Sequence, residues 1–341
     1  MSWRSRDILQ QIKALSLFKC FNALKLVISY HLSRWLKKPI HWGLPFSISV
    51  EPTTACNLGC PECPSGLKQF SRATGKLEPS TLKKLINETG KSLGNIIFYF
   101  QGEPYLHPEF TELVKVASDA GIYTTTSTNA HFLTENAAKK TIESGLSRLI
   151  ISIDGTTQEV YENYRVHGKL EKVIEGTKNI LEMKQKLGSK TPHVIFQFLV
   201  VKPNEHQIDA VHQLAEELGV NEVRLKTAQV YSYENGNELI PLNEKYSRYT
   251  QMDNGKWRLK NKLLNQCWRM WQGCVITWDG NVVPCCFDKD ATHTLGSTAE
   301  KDFREIWKDQ AYQNFRGAVL QSRSEIDICK NCTEGTKVWA S

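Results

Sequence analysis

Residues 46–63 read Phe-Ser-Ile-Ser-Val-Glu-Pro-Thr-Thr-Ala-Cys-Asn-Leu-Gly-Cys-Pro-Glu-Cys. A β-rich run, Phe46–Glu51, passes straight into a loop holding Cys56, Cys60 and Cys63 at Cys-x3-Cys-x2-Cys spacing. Three thiolates on one short loop can hold three irons of a [4Fe–4S] cube and leave the fourth iron open to an exogenous ligand. Structural zinc would want a fourth ligand close by, and no His or Cys follows at short range. A loop directly after a strand also lies where α/β folds carry their chemistry, at the strand's C-terminal end.

Downstream of this loop the chain alternates. Near-continuous apolar or β-branched runs at Asn95–Gln101, Ile122–Thr128, Arg148–Asp154, Val194–Val201 and Glu222–Gln229 predict parallel strands buried on both faces. Helical patterns over about 79–92, 108–120, 134–144, 169–187 and 205–218 separate them. Gly121, Gly145 and Gly219 each close a helical stretch before a strand. Six strand–helix units predict an α/β fold with a parallel, partial (β/α)6 TIM-like barrel rather than a closed eightfold one. A polar stretch from Ser232 to Asn265 breaks the alternation, and a small Cys- and Trp-rich region follows, with a helix near 300–316. The predicted organisation is a basic segment at 1–45, the barrel at 46–250 and a metal-stabilised C-terminal domain at 251–341.

The cysteine loop and the strand ends that follow it resemble the radical S-adenosylmethionine (SAM) superfamily. The resemblance implies that SAM binds the open iron and is cleaved reductively to methionine and a 5′-deoxyadenosyl radical. Gln101-Gly102-Glu103-Pro104 resembles the family's Gly-Gly-Glu-Pro motif, which implies that Glu103 and the backbone near Gly102 receive the SAM amino group. Ser127, Asn129, Ser152 and Asp154 match strand-end positions implied to bind the ribose and carboxylate, although such residues also cap helices and turns. Arg165 has the geometry to pair with the SAM carboxylate, with a surface-helix arginine as the competing reading. The family often carries an aromatic residue just before the third cysteine; Glu62 stands there in this chain.

The C-terminal region resembles the SPASM or shorter twitch domains of the same superfamily. Cys267, Gly280 and Cys285 fit their opening pattern, and Cys329 and Cys332 close it. The resemblance implies four thiolates that fully ligate one auxiliary [4Fe–4S] cluster. Cys274 competes with Cys267 for this role, and Cys286 with Cys285; a structural zinc site on the same residues is the alternative occupant. Trp268, Trp271, Trp278 and Trp307 lie close in sequence to these cysteines, either as a dry shell or as ordinary core.

Charge is uneven. Residues 1–45 carry eight Lys and Arg against Asp7 alone, which accounts for the whole net charge of +7. The rest of the chain is formally neutral and gives no electrostatic reason to expect nucleic acid. Leu9, Ile12, Leu15, Leu17, Phe18, Phe21, Leu24, Ile28, Leu32, Trp35 and Leu36 recur at near-helical spacing among those basic residues. Two readings stand: a segment lying on an anionic membrane or a partner protein, or helices packed on the barrel with lysines solvated. No apolar run is long enough to span a bilayer and no clean signal peptide opens the chain, so a cytoplasmic setting is expected. Ten cysteines in two local groups plus Cys20 suit metal sites better than a disulfide lattice.

One fully ligated auxiliary cluster makes the arrangement similar to aminocyclitol dehydrogenases, which implies oxidation of a small molecule with that cluster as electron acceptor. Such a route needs a base, for which Lys226 and Asp288 are the candidates, each with an ion-pair role competing. A reductant such as flavodoxin or ferredoxin is implied. Resemblance to sulfatase-maturating enzymes raises peptide modification as the alternative, although nothing in the sequence resembles a winged-helix-like recognition module. A non-catalytic zinc or iron–sulfur module held at a membrane is the reading from another class.

Overall fold

The computed structural model describes residues 3–335 and 338. Two helices, α1 (Trp3–Lys13) and α2 (Leu17–Leu36), precede β1 (Ser47–Val50). The barrel continues through α3 (Pro64–Leu67), α4 (Pro79–Thr89), β2 (Asn95–Ile97), α5 (Phe110–Asp119), β3 (Tyr123–Thr128), α6 (Glu135–Glu143) and β4 (Arg148–Ser152). It closes with α7 (Gln158–Tyr164), α8 (Leu170–Lys186), β5 (His193–Val200), α9 (Ile208–Leu218) and β6 (Glu222–Thr227). The C-terminal part holds the hairpin β7 (Tyr249–Gln251) and β8 (Trp257–Leu259), then α10 (Arg269–Gln272), β9 (Gly273–Ile276), β10 (Asn281–Val283), β11 (Gly296–Ser297), α11 (Phe303–Lys308), α12 (Gln310–Ser322) and α13 (Asp327–Lys330). Strands β1 to β6 run parallel in sequence order, which is the predicted (β/α)6 partial barrel.

Register decides what faces the barrel interior. In a parallel sheet, residues paired in register point to the same side. One side collects Ile48, Val50, Ile96, Phe98, Leu149, Ile151, Phe196 and Phe198, which pack against the helices in the main core. The other side aligns Ser127 with Ile150, Ser152 with Gln197 and Arg224, and Leu199 with Lys226. The strands that read as continuous apolar runs thus alternate, with a polar set lining the concave interior.

Sequence alternation stops at β6, but the sheet does not. Strand β9 pairs parallel with β1, and β10 and β11 follow antiparallel, so the sheet has nine strands in the order β11-β10-β9-β1-β2-β3-β4-β5-β6. A Cβ at Gly273 would sit 1.9 Å from the Ser47 carbonyl oxygen, so this close pairing requires glycine. At the other end of the sheet, the chain after α13 reaches the segment that follows β6: Asn331 donates to the Val230 carbonyl at 2.6 Å and accepts from the Tyr249 hydroxyl of β7 at 2.9 Å. The C-terminal region therefore spans the barrel's open side between β6 and β9.

The first two helices cross the floor of the barrel, opposite the loops that follow the strands. Asp7 of α1 is buried and accepts from the Tyr123 hydroxyl and the Arg148 guanidinium. Lys19 Nζ donates to the carbonyls of Ala14 and Gly121, each at 2.8 Å, pinning the α1–α2 corner to the barrel. Helix α2 docks through Asn22, Leu26, Ser29, Tyr30 and Ser33. The Tyr30 ring meets Trp268 and Trp271 edge-on at 5.3 and 5.4 Å, pairs worth about 0.5–1.5 kcal/mol each beyond their buried area. Among the described residues no helix is long and apolar enough to cross a membrane.

Candidate active site

Strand β1 delivers the cysteine loop to the open end of the barrel. Cys60 is buried, Cys56 and Cys63 are half-buried, and the three thiols lie within electrostatic reach of one another. Burial pushes the Cys56 thiol up to about 12, and it pushes Cys60 up against the opposing Arg165 guanidinium, whose Nη1 stands 3.8 Å from the sulfur. The loop is braced from behind: Gly59 N donates to the Val166 carbonyl at 2.9 Å, and Asn129 Nδ2 to Asn57 Oδ1 at 2.8 Å. Among the described residues no three or more His, Cys, Asp or Glu side chains close on a single-ion position. Soft thiol donors converging on one mouth suit a [4Fe–4S] cube, whose ligands spread around four irons.

Gln101, Gly102 and Glu103 stand beside this loop. Gly102 adopts φ +75°, and a Cβ there would meet the Thr53 carbonyl oxygen at 2.2 Å, so glycine alone fits. Its amide donates to Ser65 Oγ at 2.8 Å, and that hydroxyl also lies 3.4 Å from Gln101 Oε1. Ser65, on the short helix that starts after Cys63, carries no sequence signal of its own. Glu103 is buried, and burial pushes its carboxyl above the usual range against hydrogen bonds from Asn129 N, Thr128 Oγ1 and Tyr105 N. A carboxylate has about four acceptor sites, so these three donors leave room for one more, such as an ammonium.

The remaining predicted contacts fall into two groups. Ser127 and Ser152 Oγ face each other at 3.4 Å on the interior side of the sheet. Asn129 spends its side chain on Asn57 and on the His131 amide, so it positions the cysteine loop. Asp154 is fully buried and accepts from Arg165 Nε at 2.5 Å and Leu199 N at 2.6 Å. Burial opposes the Arg165 charge, yet Asp154 and Cys60 outweigh it and hold the guanidinium protonated. Arg165 is thus no solvated helix arginine: it sits at the end of α7, clamped between Asp154 and the cysteine loop. Glu62 accepts from Tyr231 N at 3.0 Å, and its carbonyl from Lys289 Nζ at 3.3 Å. Where the family often has an aromatic, this chain has a tie from the cysteine loop to the C-terminal region. A cleft of about 610 Å³ opens against Cys56 beneath a strap of residues 68–76.

The second cysteine group separates the competing residues. Cys267, Cys285, Cys329 and Cys332 interact electrostatically as one set, and burial pushes Cys329 up to about 11 and Cys332 up to about 12. Cys274 lies apart, fully buried against Tyr312 and Arg316. Cys286 stays within reach of Cys285 and Cys267 but turns toward Arg269, 3.8 Å away, and Tyr99. Arg323, unremarkable in sequence, is buried and donates to Cys332 Sγ at 3.2 Å and to the carbonyls of Gln266 and Glu334. Trp268, Trp271 and Trp307 belong to the core, whereas Trp278 instead packs over the strap, its indole donating to the Ala73 carbonyl at 3.2 Å.

The two proposed bases diverge. Lys226 stands on the interior-facing side of β6, in register with Leu199, but its side chain is open to solvent; partial desolvation and the charges of Arg224, Arg269 and Arg248 lower its pKa against the opposing Glu334. Asp288 is buried and accepts from Thr292 N, Thr292 Oγ1 and His293 N at 2.8–2.9 Å. It braces its own turn rather than pairing at the surface or facing the barrel.

Family comparisons agree with this geometry. The radical SAM superfamily model matches residues 50–215, and the SPASM iron–sulfur cluster-binding domain model matches residues 267–333. The AdoMet-dependent heme synthase of Methanosarcina barkeri is 32% identical over 176 residues, a match that spans 51% of this chain and about half, 48%, of that protein. The PqqA peptide cyclase of Bradyrhizobium diazoefficiens is 24% identical over 324 residues, covering 85% of this chain and 79% of its own. The fold of Streptococcus suis SuiB bound to S-adenosylmethionine superposes with a TM-score of 0.62 at 14% identity, over 85% of this chain and 71% of SuiB.

Proposed function

We propose a specific chemistry for this chain, which belongs to the radical SAM superfamily and carries a SPASM cluster-binding domain. It is an iron–sulfur enzyme that uses SAM, a [4Fe–4S] cluster and auxiliary iron–sulfur ligation. The proposed reaction is oxidation of a substrate C–H bond, with a small molecule as substrate. Cys56, Cys60 and Cys63 hold the SAM cluster, and Cys267, Cys285, Cys329 and Cys332 hold one auxiliary cluster. When bound, these groups supply the electron that cleaves SAM, the radical that removes the substrate hydrogen, and the acceptor for the electron that the oxidised substrate releases. Glu103 and the backbone near Gly102 take the SAM amino group, and Arg165 faces its carboxylate, oriented by Asp154. Gln101, Ser127 and Ser152 line the cofactor's polar side, while Asn129 fixes the loop. Lys226 accepts the proton that the substrate radical loses; its lowered pKa supports that role. Asp288 is not proposed as a base, because all its acceptor contacts are made within its own turn. A one-electron donor such as flavodoxin or ferredoxin and a cytoplasmic setting complete the reading.

The observation that carries it is the position of Lys226, solvent-open on the interior-facing side of β6, within electrostatic reach of Arg269 and Glu334 beside the auxiliary cysteines, and with no ion-pair partner within bonding distance among the described residues. Likeness to a peptide cyclase over most of the chain favours a second reading, in which the substrate is a peptide. Anaerobic reconstitution with iron counting and a SAM-cleavage assay tests the core proposal. About eight irons per chain are expected, falling to about four in Cys56→Ala/Cys60→Ala/Cys63→Ala and about four in Cys329→Ala/Cys332→Ala. 5′-Deoxyadenosine should vanish only in the first variant. An iron-loaded wild type that makes none refutes the proposal.

A further inference from the structure

Helix α2 is amphipathic in an inverted sense. The face docked on the protein holds Asn22, Ser29 and Ser33 beside Leu26 and Tyr30, whereas its large apolar residues point outward. Leu17 is 91% exposed, Phe21 56%, Leu24 52%, Ile28 42% and Trp35 79%. Their spacing of three, four and seven residues places them in one stripe, diametrically opposite the docked face. Over the helix's 20 residues this ridge is roughly 30 Å long. Solvent-exposed apolar stripes of this size mark an interaction surface.

The charges around the ridge identify its occupant. The segment's single acidic residue, Asp7, is buried against Arg148 and Tyr123. Every solvent-facing charge of residues 5–45 is therefore basic, with Lys13, Lys25, Arg34, Lys37 and Lys38 beside or at the ends of the stripe. The Lys25 ammonium lies over the Phe21 ring, 4.6 Å from its centroid, so a cation sits directly against the apolar stripe. Trp35 stands at the C-terminal end of the stripe, as aromatics do at a lipid–water boundary. We propose that this ridge docks the enzyme flat onto an anionic lipid bilayer, with the apolar stripe in the headgroup–acyl boundary and the basic residues on lipid phosphates. Helix α2 cannot insert across the bilayer, because Leu26 and Tyr30 on its other face are locked into the protein core. A second copy of the chain is a poor occupant, since two such rims repel each other. Because the helices cover the barrel floor, docking leaves the cysteine loop facing away from the lipid.

Co-sedimentation of the full, cluster-loaded chain with vesicles tests this. Binding to mixed phosphatidylcholine–phosphatidylglycerol vesicles is expected, and binding to pure phosphatidylcholine should be about tenfold weaker. About 0.5 M salt should weaken the anionic binding by a similar factor. Phe21→Ser/Leu24→Ser/Trp35→Ser and Lys13→Gln/Lys25→Gln/Lys38→Gln should each lose about tenfold, with 5′-deoxyadenosine formation in solution unchanged. No vesicle binding, binding indifferent to lipid charge, or wild-type binding by the serine variant overturns the proposal. So does a wild-type dimer, seen by light scattering, that the serine variant converts to monomer while neither binds vesicles.

Discussion

One buried ion pair ties the strap over the Cys56 cleft to the end of β1, beside hydrogen bonds with Thr53, Thr54, Asp290 and Trp278, and Arg72→Met tests how much that pair holds. Glu51 is fully buried at the end of β1 and accepts Arg72 Nη2 at 2.6 Å and Nη1 at 2.8 Å, with Trp278 N adding a third contact at 3.2 Å. Removing the guanidinium leaves a carboxylate with only the Trp278 amide. Breaking a buried pair from one side costs about 3–5 kcal/mol, because the remaining charge keeps its desolvation cost. For a chain of 341 residues about 1.4 °C of midpoint shift accompanies each kcal/mol, so a loss of about 4–7 °C is expected. The double variant Glu51→Gln/Arg72→Met removes the charge and keeps an acceptor for Trp278, so it should cost only about 1–2 kcal/mol and be more stable than the single one. Burial already raises the Glu51 pKa with Arg72 present, and it rises further without it. A carboxyl whose folded pKa lies above its unfolded value contributes stability that is present at low pH and lost as pH rises through the folded value. The single variant's deficit should therefore be smaller at pH 6 than at pH 8, and the double variant's should not change. Circular dichroism melts of anaerobic protein at one scan rate measure all three. A shift under about 2 °C for Arg72→Met, or a double variant less stable than the single, refutes the reasoning.

Three further outcomes follow from the site. Gly102→Ala forces a Cβ against the Thr53 carbonyl at a positive φ, a strain of at least about 1–2 kcal/mol, and should raise the SAM concentration needed for half-maximal cleavage while iron content stays within error. Cys267→Ala should lose about half of the bound iron, whereas Cys274→Ala, a buried truncation against Tyr312, should keep all of it and lower only the melting midpoint; iron analysis decides between them. Lys226→Met should leave 5′-deoxyadenosine formation without substrate intact and cut substrate-dependent product at least about a hundredfold, read by mass spectrometry.

Local spacing made the barrel and its mouth legible. Three cysteines after one strand, a Gly-Glu-Pro turn after the next and six alternating units are all relations between residues near each other in the chain, where periodicity and turn chemistry act. The strand ends shifted by a few residues, and α7 and the β7–β8 hairpin escaped notice because short, polar-flanked elements carry little periodic signal. What tertiary structure alone decided are pairings between residues far apart. Sequence spacing admits both Cys267 and Cys274; packing buries Cys274 beside Arg316 and leaves Cys267 with its three partners. Arg165 reads equally as solvated or functional until Asp154, eleven residues away, is folded against it. The sheet crosses the predicted boundary near residue 250, because β9 finds an open edge on β1 more than 200 residues earlier. The amphipathic pattern of α2 is plain in the sequence, but periodicity does not say which face is spent on the protein. Trp268 and Trp271 offer a flat aromatic partner to Tyr30, Leu44 offers its backbone to Asn22, and the body thus takes the helix by its polar side. The apolar stripe is left outward for that reason.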